Sequence, residues 1–157
     1  MIIKFIFILL WGVGGVFVGI HLKKQLLIKK NYFSDIYTFC ENFKHNLMYK
    51  QSKLKEFITK FNFTSEELKK DFDNFLQIEG KNTTLTLKLS NDENNEVKKL
   101  FESLGNVDIQ TQLSLIEERK AVMESLSKKY KEKSDKEGKL YIKLGLLFGL
   151  CVGVLLA

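Results

Sequence analysis

The sequence predicts an all-α protein: a small antiparallel helical bundle flanked by N- and C-terminal transmembrane helices. Three observations carry that expectation. Both ends of the 157-residue chain are uncharged apolar runs. The region between them has no proline, and seven of the ten glycines fall in the apolar ends, so long helices meet few breakers. Its apolar residues also recur at helical spacing.

The ends come first. Phe5 to Ile20 carries no charge, with Lys4 just before it. Leu144 to Ala157 is also uncharged, and extends back through Leu140, Tyr141 and Ile142 if Lys143 snorkels to the interface. A bilayer span takes roughly 20 residues, and about 17 suffice. A buried core helix is the plainer alternative, but neither run shows an amphipathic period. A cleaved signal peptide would explain the basic start. However, "GGVFVGIHLKK" offers no small-x-small cleavage site before the lysine pair, so an uncleaved anchor is favoured. The expected domains are a membrane helix over 1–22, a cytoplasmic bundle over 23–139 and a second membrane helix over 140–157.

Lysine placement sets the orientation. Lys23, Lys24, Lys29 and Lys30 follow the first apolar run. Lys136 and Lys139 close a basic stretch before the second, and Lys143 sits at its edge. The positive-inside rule then places the middle of the chain in the cytoplasm of a two-pass membrane protein. The net charge of +6 reads mainly as this topology signal, with the lysines able to touch anionic headgroups. A single arginine and no aromatic-basic motif argue against nucleic acid as a partner. Cys40 and Cys151 lie in different segments and suggest no disulfide.

Within the middle, Leu26, Phe33, Cys40, Leu47 and Leu54 repeat every seven residues, with Ile36, Phe39 and Phe43 broadening the stripe. A helix running to about Tyr49 is expected, and "KLKEFITKF" continues it, bent or as a second helix. In "FTSEEL", Thr64 is placed as a cap, with Glu67 bonding back to it. Leu68, Phe72, Phe75 and Leu76 form the buried face of a helix ending near Gly80. Glu66, Glu67, Asp71 and Asp73 are read as a solvated face. "NTTLTLKL" alternates like a strand but has no partner, so a loop or irregular helix is expected. Ser90 and Glu93 form a second capping box. Gly105 can close the helix that follows, and Asp108 can cap the last one. That last helix runs into the membrane, with a possible break at Gly138.

Catalytic patterns are lacking. The chain has no Walker loop, no H-E-x-x-H, no C-x-x-C and no nucleophile elbow. His21 and His45 have no metal-ligand companions. No catalytic site, metal, cofactor or small-molecule substrate is expected. The glycines of the apolar runs are more informative. Gly145, Gly149 and Gly153 line one face of the second, as Gly15 and Gly19 do in the first. Such small-residue faces let helix backbones pack closely in lipid.

The stretch "LG-x-x-D-x-x-x-Q" at Leu104–Gln112, its long charged helix, "KLY" at 139–141 and "LGLLFGL" at 144–150 resemble the stage III sporulation protein AB family. The N-terminal half is similar but weaker. "NLMYKQSKL" keeps Leu47, Tyr49 and Leu54, with Asn46 at the family's acidic position and Lys53 at its proline. About residues 62–90 depart from the pattern. The resemblance implies a mother-cell membrane protein of the channel that joins mother cell and forespore after engulfment. It implies a cytoplasmic domain similar to the platform proteins of type II secretion and type IV pili. Its implied partners are the membrane, an ATPase of the stage III sporulation protein AA type and other channel subunits. No catalytic residue transfers. The alternative is a holin-like or other membrane-perturbing protein, or a simple anchor.

Overall fold

Without proline, nothing in the first or last third of the chain interrupts a helix. In a computed structural model describing residues 2–50, 53–78, 84–105 and 108–156, α1 runs over Ile2–His45 and α5 over Ile109–Leu156. A π-helical turn, Asn46–Lys50, follows α1. Between them lie α2 (Leu54–Lys60), α3 (Glu66–Gln77) and α4 (Asn91–Ser103). All regular structure among the described residues is helical. The chain divides into two compact units: Met1–Lys30 with Lys129–Ala157, and Asn31–Lys128. Helices α1 and α5 contribute residues to both.

The unit Asn31–Lys128 is a helical bundle built on phenylalanine. Along α1, Tyr32, Phe33, Ile36, Phe39, Cys40 and Phe43 are buried at spacings of three and four, which is one face of a helix. Phe39 is the hub. Its ring lies 4.4 Å from that of Phe72 in α3, and 5.4 Å from those of Phe57 and Phe61. Phe101 of α4 joins through Phe72 at 4.9 Å and Phe75 at 5.4 Å. Ile116 and Met123 of α5 close the core. Each such side chain contributes about 1.5–3 kcal/mol on burial, and aromatic pairs add about 0.5–1.5 kcal/mol.

The seven-residue stripe is only partly a continuous seam. Phe33, Cys40 and Leu47 are buried, whereas Leu26 and Leu54 are half-buried. The helix expected to reach Tyr49 leaves α-geometry at Asn46, and "KLKEFITKF" forms the separate helix α2. No break occurs at Gly138, where α5 continues unbroken.

Two expectations need correction. The cap of α3 is Ser65, not Thr64: the Ser65 hydroxyl accepts from the Leu68 amide at 3.3 Å. The cause is tertiary. The carboxylate of Asp35 in α1 accepts from the Thr64 and Ser65 amides at 2.6 and 2.7 Å, which holds the chain extended one residue longer. Glu67 accepts from the Ser65 hydroxyl at 3.1 Å instead of bonding back to Thr64.

Asp71 is not on a solvated face but fully buried. Its carboxylate accepts from the Tyr32 hydroxyl at 2.7 Å, and from the amide and hydroxyl of Thr86 at 2.7 and 2.6 Å. Hydrogen bonds to an ionised acceptor make such burial tolerable. They also explain the strand-like "TLTLKL". Leu85, Leu87 and Leu89 are half-buried while Thr84, Thr86 and Lys88 are exposed, so the alternation marks an extended connection laid on the bundle. The expected helix end at Gly80, and residues 81–83, lie outside the described residues.

The other capping positions follow the sequence. Ser90 accepts from the Glu93 amide at 3.4 Å while Glu93 accepts from the Ser90 amide at 3.2 Å. Gly105, just past α4, has φ +84°, a conformation in which a Cβ is strained. Asp108 accepts from the Thr111 hydroxyl at 2.6 Å and its amide at 3.0 Å, and these bonds hold its carboxyl below the usual range.

Replacing Asp71 with Ala leaves the buried Tyr32 hydroxyl and the Thr86 amide without their acceptor. The expected loss is roughly 1–3 kcal/mol per orphaned donor. Asp73→Ala, on the exposed side of the same helix, should stay within about 0.5 kcal/mol. Urea unfolding of the full chain in detergent, followed at 222 nm by circular dichroism, compares the two.

Burial pushes the Cys40 thiol up to about 12, against a weaker pull from Lys120. The folded chain thus keeps a proton that the unfolded chain releases near the ordinary thiol value. The thiol's contribution to stability is full below that ordinary value and is lost as pH rises through about 12. Stability measured from neutral to strongly alkaline pH should fall more steeply for the parent than for Cys40→Ala.

Candidate functional site: a glycine-packed helical pair

The unit formed by Met1–Lys30 and Lys129–Ala157 is two helices in close antiparallel contact. Glycine makes the contact possible. A Cβ on Gly15 would overlap the Gly145 carbonyl oxygen, and one on Gly145 would overlap that of Gly15. A Cβ on Gly149 would overlap the Trp11 carbonyl oxygen. One on Gly19 would stand 2.5 Å from the Tyr141 oxygen, and one on Gly153 2.9 Å from the Ile8 Cα. All five predicted packing glycines therefore lie where backbone meets backbone. Gly14 is a contrast: a Cβ there would meet nothing within 4 Å. Spacing decides which is which, since Gly15 and Gly19 are one turn apart and Gly14 is rotated off that face.

The outer faces are apolar. Leu9, Leu10, Phe17, Val18, Phe148 and Leu155 are each at least 60% exposed. Among the described residues, one helix, α5, contains a window long and apolar enough to cross a membrane, and little of that window is buried. At the polar end of the pair, Lys24, Lys136, Lys139 and Lys143 are exposed, and Lys23, Lys29 and Lys30 are half-buried.

The bundle offers a different kind of surface. An open groove of about 640 Å³ lies between the end of α1, the π-helical turn and α2. Asn42, His45, Asn46, Tyr49, Phe57 and Phe61 line part of it. Tyr49 is 76% exposed and its ring stacks at 6.3 Å on that of His45. Across the bundle, ion pairs link α1 to α5: Lys44 with Glu117, and Glu41 with Lys120 at 3.5 Å. The chain's single arginine, Arg119, donates to Glu96 at 2.8 Å and Glu118 at 2.6 Å. His21 lies 3.4 Å from the Gln25 side-chain nitrogen. Among the described residues, no three His, Cys, Asp or Glu side chains gather where they could hold a metal ion. Sequence reading missed the buried carboxylates Asp35 and Asp71. For Asp71 a signal existed, because it shares a helical face with Leu68, Phe72 and Phe75.

Fold and surface together define an all-helical protein in which an apolar helical pair accompanies a polar bundle. Residues 59–157 match the family model of stage III sporulation protein AB, and the chain belongs to that family. Membership implies a role in stage III of sporulation, and the apolar helix of α5 fits a membrane-associated protein. No curated protein and no solved structure matches the chain.

The glycine contacts are testable in the intact chain. With Cys151 replaced by Ser, cysteines at Gly12 and Leu150 should form a disulfide, since a Cβ at Gly12 stands 3.2 Å from a Leu150 methyl. Adding Gly149→Leu should largely abolish the crosslink, while Gly14→Leu should leave it intact. Non-reducing gels read the outcome.

Proposed function

We propose that the chain is a non-enzymatic platform subunit of the channel joining mother cell and forespore. On this reading it is a two-pass protein of the mother-cell membrane, with residues 23–139 in the cytoplasm. The family match is the observation that carries the role. Several features support the topology: apolar exposed faces on both helices of the pair, lysines at one end of each, and a second apolar run, 5–20, comparable to that of α5.

The mechanism is mechanical. The helical pair is a rigid anchor because its backbones touch. The bundle is a rigid body because phenylalanines from four helices share one core. Such a body can dock an ATPase of the stage III sporulation protein AA type and transmit order or movement to other channel subunits. The groove beside the π-helical turn is the docking surface favoured by its exposed aromatic and amide groups. Asn46, which lines this groove, stands where the family has an acidic residue, and Lys53, just before α2, where it has a proline, so no ATPase contact of the family at this turn carries over to this chain.

The holin-like alternative needs glycine faces free to oligomerise. Here Gly15, Gly19, Gly145, Gly149 and Gly153 are occupied within one chain, which supports the anchor over the lesion.

Deletion in the native organism tests the role. Forespores should complete engulfment and then stall or collapse, as seen by fluorescence microscopy with a membrane dye. Normal spore yield would refute the channel reading. Dye leakage from cells expressing the chain alone would instead favour the membrane-perturbing one.

A further inference from the structure

Where the apolar faces of the helical pair end, both helices turn basic at the same level. The stem of Lys23 fills the notch left by Gly138, with Cγ 3.2 Å from where a Cβ would stand. Less than two turns along α1, the Lys29 ammonium lies 5.6 Å from the centre of the Tyr130 ring. Lys129, from α5, lies 5.3 Å from the same centre. One buried ring thus steadies ammonium groups from both helices. The ring quadrupole positions the Lys29 cation without cancelling its charge.

The lysines of 23–30 and 129–143 outnumber the only carboxylates there, Glu132, Asp135 and Glu137. Two of those three have intramolecular work: Glu132 pairs with Lys136 at 3.6 Å, and Glu137 accepts from the Tyr141 hydroxyl at 2.9 Å. Lys24, Lys131, Lys133 and Lys139 are exposed around the pair.

We propose that this basic collar binds the phosphates of anionic phospholipid headgroups, so that the chain gathers anionic lipid in preference to zwitterionic lipid. The proposal rests on the reading of the helical pair as membrane-spanning. Its geometry favours headgroups over other polyanions. Between Lys23 and Lys30 on α1, and between Lys131 and Lys139 on α5, the collar rises roughly 10–12 Å along the helices at about 1.5 Å per residue. That is within a Debye length of about 8 Å beyond a headgroup layer some 5–7 Å deep. The collar is also continuous with the exposed apolar faces of the pair, which on that reading lie in lipid. A lysine near an anionic leaflet contributes about 1 kcal/mol, or about fivefold in affinity.

The test uses the full chain reconstituted into vesicles of phosphatidylcholine mixed with phosphatidylglycerol. Patches around the protein are excised with an amphipathic copolymer, and their phospholipid is quantified against the bulk ratio. Phosphatidylglycerol should be enriched several-fold around the parent chain. The enrichment should shrink at high salt. It should largely vanish when Lys24, Lys131, Lys133 and Lys139 are all replaced by Gln, and persist when they are replaced by Arg. All four are exposed, and circular dichroism verifies the fold.

A chain that inserts, shown by resistance to carbonate extraction, but carries bulk lipid overturns the lipid preference and leaves the membrane reading standing. A chain that carbonate strips from the vesicles overturns both. Loss of enrichment on adding an oligonucleotide at equal phosphate would make the collar a general polyanion surface and overturn its assignment to lipid.

Discussion

The helical pair depends on contact between the backbones of Gly15 and Gly145. Once those two residues touch, the helical repeat fixes the remaining neighbours. Gly19 falls beside Tyr141, Gly149 beside Trp11 and Gly153 beside Ile8. The same register brings Gly138 under Lys23, and Tyr130 under Lys29. In lipid no hydrophobic force selects a register between apolar helices, so steric fit must do it. Small residues at four-residue spacing supply that fit, while the outward side chains are free to be any apolar type. The placement of charge at the end of the pair is therefore a consequence of where glycines stand in its middle.

The bundle obeys a different constraint. Its core is aromatic, and aromatic rings fill space in few ways, so the position of Phe39 against Phe72 limits how α1 and α3 can meet. Two buried acids complete the specification. Asp35 fixes where α3 starts, through the Thr64 and Ser65 amides. Asp71 fixes where the connection into α4 lies, through Thr86. Each acid converts a polar backbone that would otherwise need water into part of the interior. Burial of a carboxylate is unfavourable alone, which makes its donors a condition of the fold.

Much of this was legible in the residues. The apolar ends, the Ser90–Glu93 box, the left-handed Gly105 and the Asp108 cap depend on local chemistry, and local chemistry is what a sequence displays. The misread positions depend on distant partners. Thr64 and Ser65 are both capping residues, Ser the better by propensity, and Asp35, far back in α1, holds the chain extended to Ser65. Asp71 shares the buried face of its helix with Leu68, Phe72 and Phe75, but the donors that make its burial tolerable, Tyr32 and Thr86, lie outside that helix. The alternation in "TLTLKL" reports one covered side, which a lone extended segment and a strand share. The π-helical turn left no trace in the apolar spacing, because Leu47 stays buried through it.

The glycine register also has a clock in it. Gly15 is made 130 residues before Gly145 (145 − 15), so the first helix must exist for a time without its match. At about 5–20 residues per second of synthesis, that interval is on the order of ten seconds. Throughout it, an open small-residue face is presented to whatever else is nearby. Whether the pair closes within its own chain or captures a neighbour is then a race between translation and collision, won more easily when few copies are made at once.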